Sequence, residues 1–584
     1  MKRSILNLYH NVAALWNPII FFLAPLVLLL IPLLVHTKEA KCAYMMIVMA
    51  LFWMTEPVPL AVTSLVPIVF SPLMGVASTK IVCEAYANKT LMMFVGGLMV
   101  ATAVEHCNLH QRIALRVLLW VGTSLRWLML GFMLTTMFLS MWISNTAATA
   151  MMVPIVEAVL EEISDEQETR KENISLKKIN PPDGSNMELN NGMVQETNSS
   201  INNQQPTHHS TVRKVLLLSV AFSANCGGTG TLTGTGPNLV LKALYDTYFP
   251  QSKDITYGSW IVYNVPGMLL YVLVAWWFLF FYFTGTYCKS KENGKKREAV
   301  REVILRKYNS LDQISFHETA VLILFILLIL LWLMRDPEFL PGWGPALSSD
   351  VHIDDATPAI FIALLLFIIP AKPSQLRSSP PLLDWKTAQN KLPWGVLFIL
   401  GGGFSLAKVS EISGLSRWMS NQLSYLDSMP PVAIVIVLCI LTATLTEVVS
   451  NVVSATILLP VIKQLSLALK VHPLYLMLPV TISCSFAFML PVATAPNTMV
   501  FEIARMKTLD MVKPGFFLNI LCICIQTMMI HTLGDALFHF NTIPYWMNVN
   551  TTLTTTFSSV LPEAVDNLTI HRITAISFLN MTST

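Results

Sequence analysis

The chain has 584 residues, of which 54% are hydrophobic and only 12% charged, and its mean hydropathy is +0.57. That balance excludes an ordinary soluble domain, so lipid must be the solvent for most of the chain. A formal net charge of +3 is too small to imply a nucleic-acid partner, and what matters is where the basic residues lie.

Residues 1–40 open with Met1-Lys2-Arg3 and a first apolar run, Phe21 to Val35, that lacks a small-residue cleavage site. It reads as a retained signal-anchor helix with a cytoplasmic amino terminus. Similar runs follow, among them Val321 to Met334 and Ile360 to Pro370. Matched against about 30 Å of hydrocarbon, they predict an all-α polytopic fold of about eleven crossings plus two shorter apolar hairpins.

Residues 41–284 form a first unit, with a hairpin over 128–160, an asparagine-rich insert over 161–214 and a broken helix over 215–247. The insert holds Pro181-Pro182-Asp183-Gly184 and no helical apolar period, so a disordered cytoplasmic connector is expected. The linker 285–317 carries Lys289, Lys291, Lys295, Lys296, Arg297, Arg301, Arg306 and Lys307 against three glutamates, which places it inside the cell. A second unit, 318–540, has its hairpin over 432–469 and its broken helix over 473–503. An odd number of crossings then puts the tail, 541–584, outside, where sequons at Asn550, Asn567 and Asn580 are usable. Sequons at Asn173 and Asn198 fall in the insert and should stay unmodified.

The two units resemble each other. Gly97 matches Gly403, Glu105 matches Glu411, Leu109 matches Leu415, Ser144-Asn145 matches Ser450-Asn451 and Pro154 matches Pro460, all at one separation. Gly234-Thr235-Gly236-Pro237-Asn238 then matches Ala493-Thr494-Ala495-Pro496-Asn497 at a separation shorter by about the length of the insert. A duplicated unit of five crossings and one hairpin, in opposite orientations, is the expectation.

Polar backbone at membrane depth is tolerated only where it is buried in protein or lines a cavity, so the Ser-Asn tips need a function. Sodium prefers oxygen ligands, and Ser140, Ser144 and Asn145 supply them in the first half, Thr446 and Asn451 in the second. Half-helix amino termini near Thr146 and Val452 offer free N–H groups to a carboxylate without any arginine. Glu56, Glu105, Glu411 and Glu447 lie near helix ends and read as interfacial or cap-forming. Most of the nine cysteines sit in apolar runs without CxxC spacing and read as packing residues. An intramembrane enzyme would need paired aspartates or a His-Glu-x-x-His helix, and neither pattern occurs.

On Glu105-His106-Cys107-Asn108-Leu109-His110, Ser140 to Thr146, Gly236-Pro237-Asn238, Gly401-Gly402-Gly403 and Phe488 to Ala493, the chain resembles the divalent anion:sodium symporters, which carry dicarboxylates, citrate or sulfate. The resemblance covers nearly the whole chain. It implies a first sodium site at Ser140, Ser144, Asn145, Gly234 and Asn238, and a second at Thr446, Val449, Asn451, Ala493 and Asn497. It also implies substrate contacts from Asn145, Thr146, Thr235, Gly236, Asn451, Val452 and Thr494, with sodium ions co-transported. A plasma-membrane homodimer working by an elevator-like shift is implied as well. The Thr235-Gly236-Pro237-Asn238 spelling is similar to that of citrate carriers, where glycine leaves room for a bulkier substrate. Ala495 and Val448-Val449 are departures from the family pattern in the second half, and Val452 stands where the sulfate-carrying members usually have proline. Sodium-coupled citrate or C4-dicarboxylate transport is the leading expectation. Sodium-independent exchange and sodium:sulfate symport are the alternatives.

Overall fold

A computed structural model describes residues 19–121, 124–161, 205–284, 294–336, 342–347, 351, 353–373, 379–423 and 429–541. The sequons at Asn173, Asn198, Asn550, Asn567 and Asn580, most of the insert and the tail beyond 541 lie outside the described residues. Among the described residues the fold is all-helical, with one isolated bridge between Pro370 and Pro381.

Six helical stretches are long and apolar enough to cross a membrane among the described residues: Thr79–His106, Tyr257–Phe283, Phe316–Leu333, Trp394–Ser413, Asn451–Ala468 and Thr508–Phe538. Shorter apolar helices accompany them, including Ile19–Leu34, Ala356–Ile368 and Pro431–Thr446. Leu73, Trp120, Leu34 and Ile368 stand more than two-thirds exposed. Such an apolar exterior suits lipid rather than water.

Local chemistry starts the helices where the chain turns polar. Ser315 and Glu318 form a reciprocal capping box ahead of Phe316–Leu333, satisfying donors that the first turn would otherwise leave open. The Glu318 carboxylate also meets Arg112 at 3.1 Å, so the same residue binds a neighbouring helix. Asn88 caps Lys89–His106 through the Leu91 amide.

Missing side chains let helices approach. A Cβ on Gly96 would lie 2.7 Å from the Ala359 carbonyl carbon, so Lys89–His106 and Ala356–Ile368 touch backbone to backbone there. Within Gly401-Gly402-Gly403, the same addition would strike Tyr86 at 2.4 Å, the Ser64 carbonyl oxygen at 2.5 Å and Thr456 Cγ2 at 2.2 Å. The glycine run therefore works as a packing surface for three neighbours.

The first broken helix begins at Gln205, inside the segment expected to belong to the disordered insert. Ion pairs explain the extension: Arg213 meets Glu157 at 2.6 Å and Lys214 meets Asp510 at 2.7 Å, tying this polar end to two other helices. Composition alone had made it resemble the connector.

Candidate ion- and anion-binding site

The first hairpin descends through Leu125–Ser140, turns over residues 141–144 and returns as a helix over 145–161. The second descends through Pro431–Thr446 and returns as Asn451–Ala468. Each return helix thus starts on the asparagine of a Ser-Asn pair. In the first, the Ser144 hydroxyl accepts from the Ala147 amide at 3.2 Å. Ser450 makes no such side-chain cap in the second.

Both expected broken helices are present. Gln205–Gly227 ends before an unwound stretch, and the chain resumes as Gly236–Tyr248 with Pro237 in its first turn. Pro473–Ser483 gives way to an unwound stretch holding a single turn, Pro491–Ala493, before Ala495–Ile503 resumes with Pro496. Proline restarts each helix because its missing N–H is one the first turn would leave unbonded.

The hydroxyls at the hairpin ends meet matching oxygens. Ser140 Oγ lies 2.6 Å from Asn145 Oδ1 and 2.7 Å from the Ala224 carbonyl. Thr446 Oγ1 lies 2.8 Å from Asn451 Oδ1 and 2.7 Å from the Cys484 carbonyl. In each place three oxygens share one hydroxyl proton, leaving lone pairs in excess. That surplus is what a hard cation needs.

Asn238 and Asn497 brace the unwound loops through their amide nitrogens. Asn238 Nδ2 donates to the carbonyls of Gly228 at 3.0 Å and Thr231 at 2.7 Å. Asn497 Nδ2 donates to those of Ala487 at 2.9 Å and Leu490 at 3.1 Å. Each carboxamide staples its own unwound loop, supplying donors that the lost helix turns no longer provide. Trp260 Nε1 adds a further donor to the Thr229 carbonyl at 3.1 Å.

Close contacts gather the expected substrate residues. A Cβ on Gly228 would sit 2.7 Å from Asn145 Oδ1 and 3.2 Å from Thr235 Cβ, and one on Gly234 would sit 2.5 Å from the Gly228 carbonyl oxygen. Across the halves, a Cβ on Gly236 would lie 2.3 Å from Val452 Cγ2. The space at Gly236 is therefore filled by Val452, where the citrate-carrier resemblance had implied room for substrate. Ser144 and Thr146 are exposed at the first tip, while Val449 and Ala493 are buried at the second and Thr494 is half-buried.

Glu447, expected to be interfacial or cap-forming, is buried and forms a cap. It is only 3% exposed, and its carboxylate accepts from the amides of Phe488 at 2.8 Å, Met489 at 2.9 Å and Leu490 at 2.9 Å. Asn519 Nδ2 adds a fourth donor at 3.0 Å. The charge thus caps the second unwound loop from the hairpin tip. Met141 holds the equivalent place in the first half, where its carbonyl accepts from the Thr231 hydroxyl. The Glu-for-Met difference between otherwise matched tips was the available signal. Of the remaining glutamates, Glu56 is exposed, Glu105 pairs with Lys391 at 2.8 Å and Glu411 with Lys408 at 3.2 Å.

Comparison with known proteins agrees with this architecture. The family model described as the sodium:sulfate symporter transmembrane region matches residues 11–540. The chain is 42% identical over 560 residues to the Na(+)/citrate cotransporter of Rattus norvegicus, covering 91% of this chain and 97% of that protein. It is 43% identical over 574 residues to solute carrier family 13 member 2 of Homo sapiens, covering 92% and 96%. Identity to the Na(+)/dicarboxylate cotransporter 3 of Rattus norvegicus is 37% over 586 residues, covering 95% and 97%. With its apolar helices, its paired broken helices and a match that spans nearly its whole length, the chain belongs to the sodium:sulfate symporter family, the divalent anion:sodium symporters, and is a multi-pass membrane transporter.

Proposed function

We propose that this protein couples inward sodium movement to uptake of citrate or C4-dicarboxylates across the plasma membrane. The observation that carries the reading is the pair of matched oxygen clusters, Ser140–Asn145–Ala224 and Thr446–Asn451–Cys484, each with more lone pairs than protons. Two such clusters suit two sodium ions. Gly234 and Ala493, with Ser144 and Val449, complete the respective sites with backbone or hydroxyl oxygen.

The return helices beginning at Asn145 and Asn451 direct unbonded amides and positive dipole ends at the space between the tips. Asn145, Thr146, Thr235, Asn451, Val452 and Thr494 border that space and hold the substrate carboxylates. Sodium bound first supplies the positive charge that makes an anion welcome in a low-dielectric site. Binding is then mutually dependent, as symport requires. The printed names of the relatives, citrate and dicarboxylate cotransporters, favour carboxylates over sulfate.

The bonds made by Ser140 and Asn238 recur at Thr446 and Asn497, which supports an inverted duplication with about eleven crossings and two re-entrant hairpins. Hairpins and broken helices move together as one body in an elevator-like shift against the remaining helices, within a homodimer. The amino terminus faces the cytoplasm and the glycosylated carboxyl-terminal tail the outside.

Radiolabelled citrate, succinate and sulfate uptake into cells expressing the chain, with sodium or with choline replacing it, tests the reading. Sodium-dependent uptake of citrate or succinate is expected. Equal uptake in choline replaces symport with exchange, and sodium-dependent uptake of sulfate alone replaces the carboxylate assignment.

A further inference from the structure

The two half-sites part company at one position. Asn225 lies near the end of Gln205–Gly227, and because the carbonyls of Ala224 and Cys484 take the same place in the two clusters, its counterpart in the second half is Ser485. Asn225 is fully buried. Its Nδ2 lies 3.1 Å from the Ala487 carbonyl, 3.3 Å from Thr494 Oγ1 and 3.4 Å from Asn497 Oδ1, the first two on the opposite unwound segment and the third on the helix that follows it. A serine at the matching place has no carboxamide to send back. The same asymmetry shows in the staples, since Asn497 Oδ1 receives Asn225 while Asn238 Oδ1 is buried with no hydrogen-bond partner.

Thr494 Oγ1 also accepts from the Asn497 amide, at 3.4 Å, as the cap of Ala495–Ile503. A hydroxyl oxygen has two lone pairs and one proton. Asn225 Nδ2 has two protons, one for Ala487 and one shared between Thr494 and Asn497; with that shared bond and the helix amide on the lone pairs of Thr494, its proton is what remains to be offered outward. Thr235, the matching residue, makes no side-chain cap, and its hydroxyl is free to accept as well as donate.

We infer that Asn225 is a positioning residue that fixes Thr494 as a hydrogen-bond donor, so that the second half-site selects an ionised carboxylate. This rests on the assignment of Thr494 to the substrate. A carboxylate accepts only, whereas a protonated carboxyl presents a donor of its own. The ionised end of an unsymmetrically charged substrate therefore binds beside Thr494, and an end that carries a proton binds beside Thr235.

The test is a double-substitution cycle on succinate uptake, normalised to transporter at the cell surface. Asn225→Ala raises KM about tenfold, the effect of weakening one hydrogen bond to a charged group, with kcat within about twofold. Thr494→Val does the same. The double variant is no worse than either alone, because Asn225 acts through Thr494. Should Asn225→Ala fail to reach the surface, Asn225→Ser takes its place in the cycle. An unchanged KM in the Asn225 variant, or multiplied KM effects in the double variant, overturns the inference. Absence of sodium-dependent uptake by the unsubstituted chain overturns the transport reading instead, so the two failures are distinct.

Discussion

Ser140 and Thr446 each set one hydroxyl proton between two oxygens, and the partner oxygens come from Asn145 and Asn451. Removing either carboxamide takes away a proposed cation ligand and disturbs the start of the return helix together. Asn145→Ala and Asn451→Ala should each cut sodium-driven uptake by about a hundredfold, equivalent to about 3 kcal/mol, with surface expression intact. Full uptake by either would detach the Ser-Asn tips from the site. Glu447 makes a different kind of demand. Its carboxylate serves three loop amides and Asn519, so truncation leaves several buried donors unpaired. Glu447→Ala should destabilise the protein by roughly 2–4 kcal/mol, read as a lowered melting temperature in detergent. An unaltered melting temperature would mean that the loop holds its shape without the charge.

At the scale of elements, the unwound loops depend on small residues because other backbone comes close. A Cβ on Gly227 would lie 2.4 Å from the Met137 carbonyl oxygen, a contact that cannot yield without moving a hairpin arm. Gly236 is different, since its neighbour is the Val452 side chain. Gly236→Ala should lower uptake about tenfold or more through a clash that costs about 1–3 kcal/mol, and Val452→Ala should restore much of it by emptying the contested space. Uptake assays on the single and double variants decide this, and a double variant as impaired as Gly236→Ala would show that the two side chains do not compete. The broken helices themselves were legible from glycine and proline spacing, as were the hairpins from a polar pair between short apolar arms. The start at Gln205 was not, because its stability comes from Arg213–Glu157 and Lys214–Asp510 contacts with distant helices.

At the scale of the whole molecule, charges join the first broken helix to the helices around it. Lys89 meets Asp354 at 3.1 Å and Asp246 at 3.7 Å, while Lys242 holds Asp246 at 2.7 Å and Arg335 holds Asp355 at 3.0 Å. Asp246 and Lys242 belong to Gly236–Tyr248, within the body assigned to move, and Lys89 begins a helix of the surrounding frame. Joining the two with a short, cleavable thiol cross-linker in a Lys89→Cys, Asp246→Cys variant should reduce uptake to background, with recovery after reduction. Undiminished uptake while cross-linked would contradict relative motion of these bodies.

The sequence by itself determined the lipid solvent and the family, and it predicted a duplication with two polar tips. Hydropathy, periodic matching and misplaced polar residues are properties read along one dimension, and each is strong because many residues contribute to it. Only the tertiary structure decided what the singular residues do. Glu447 acts on amides 41 to 43 positions away, Asn225 reaches Asn497 across 272 positions, and Gly236 matters through Val452. Such roles depend on which segments meet, and a side chain's type does not record its partner. The matched Ser-Asn loops therefore pointed to a candidate site, while packing made the hydrogen bonding at its two sides different.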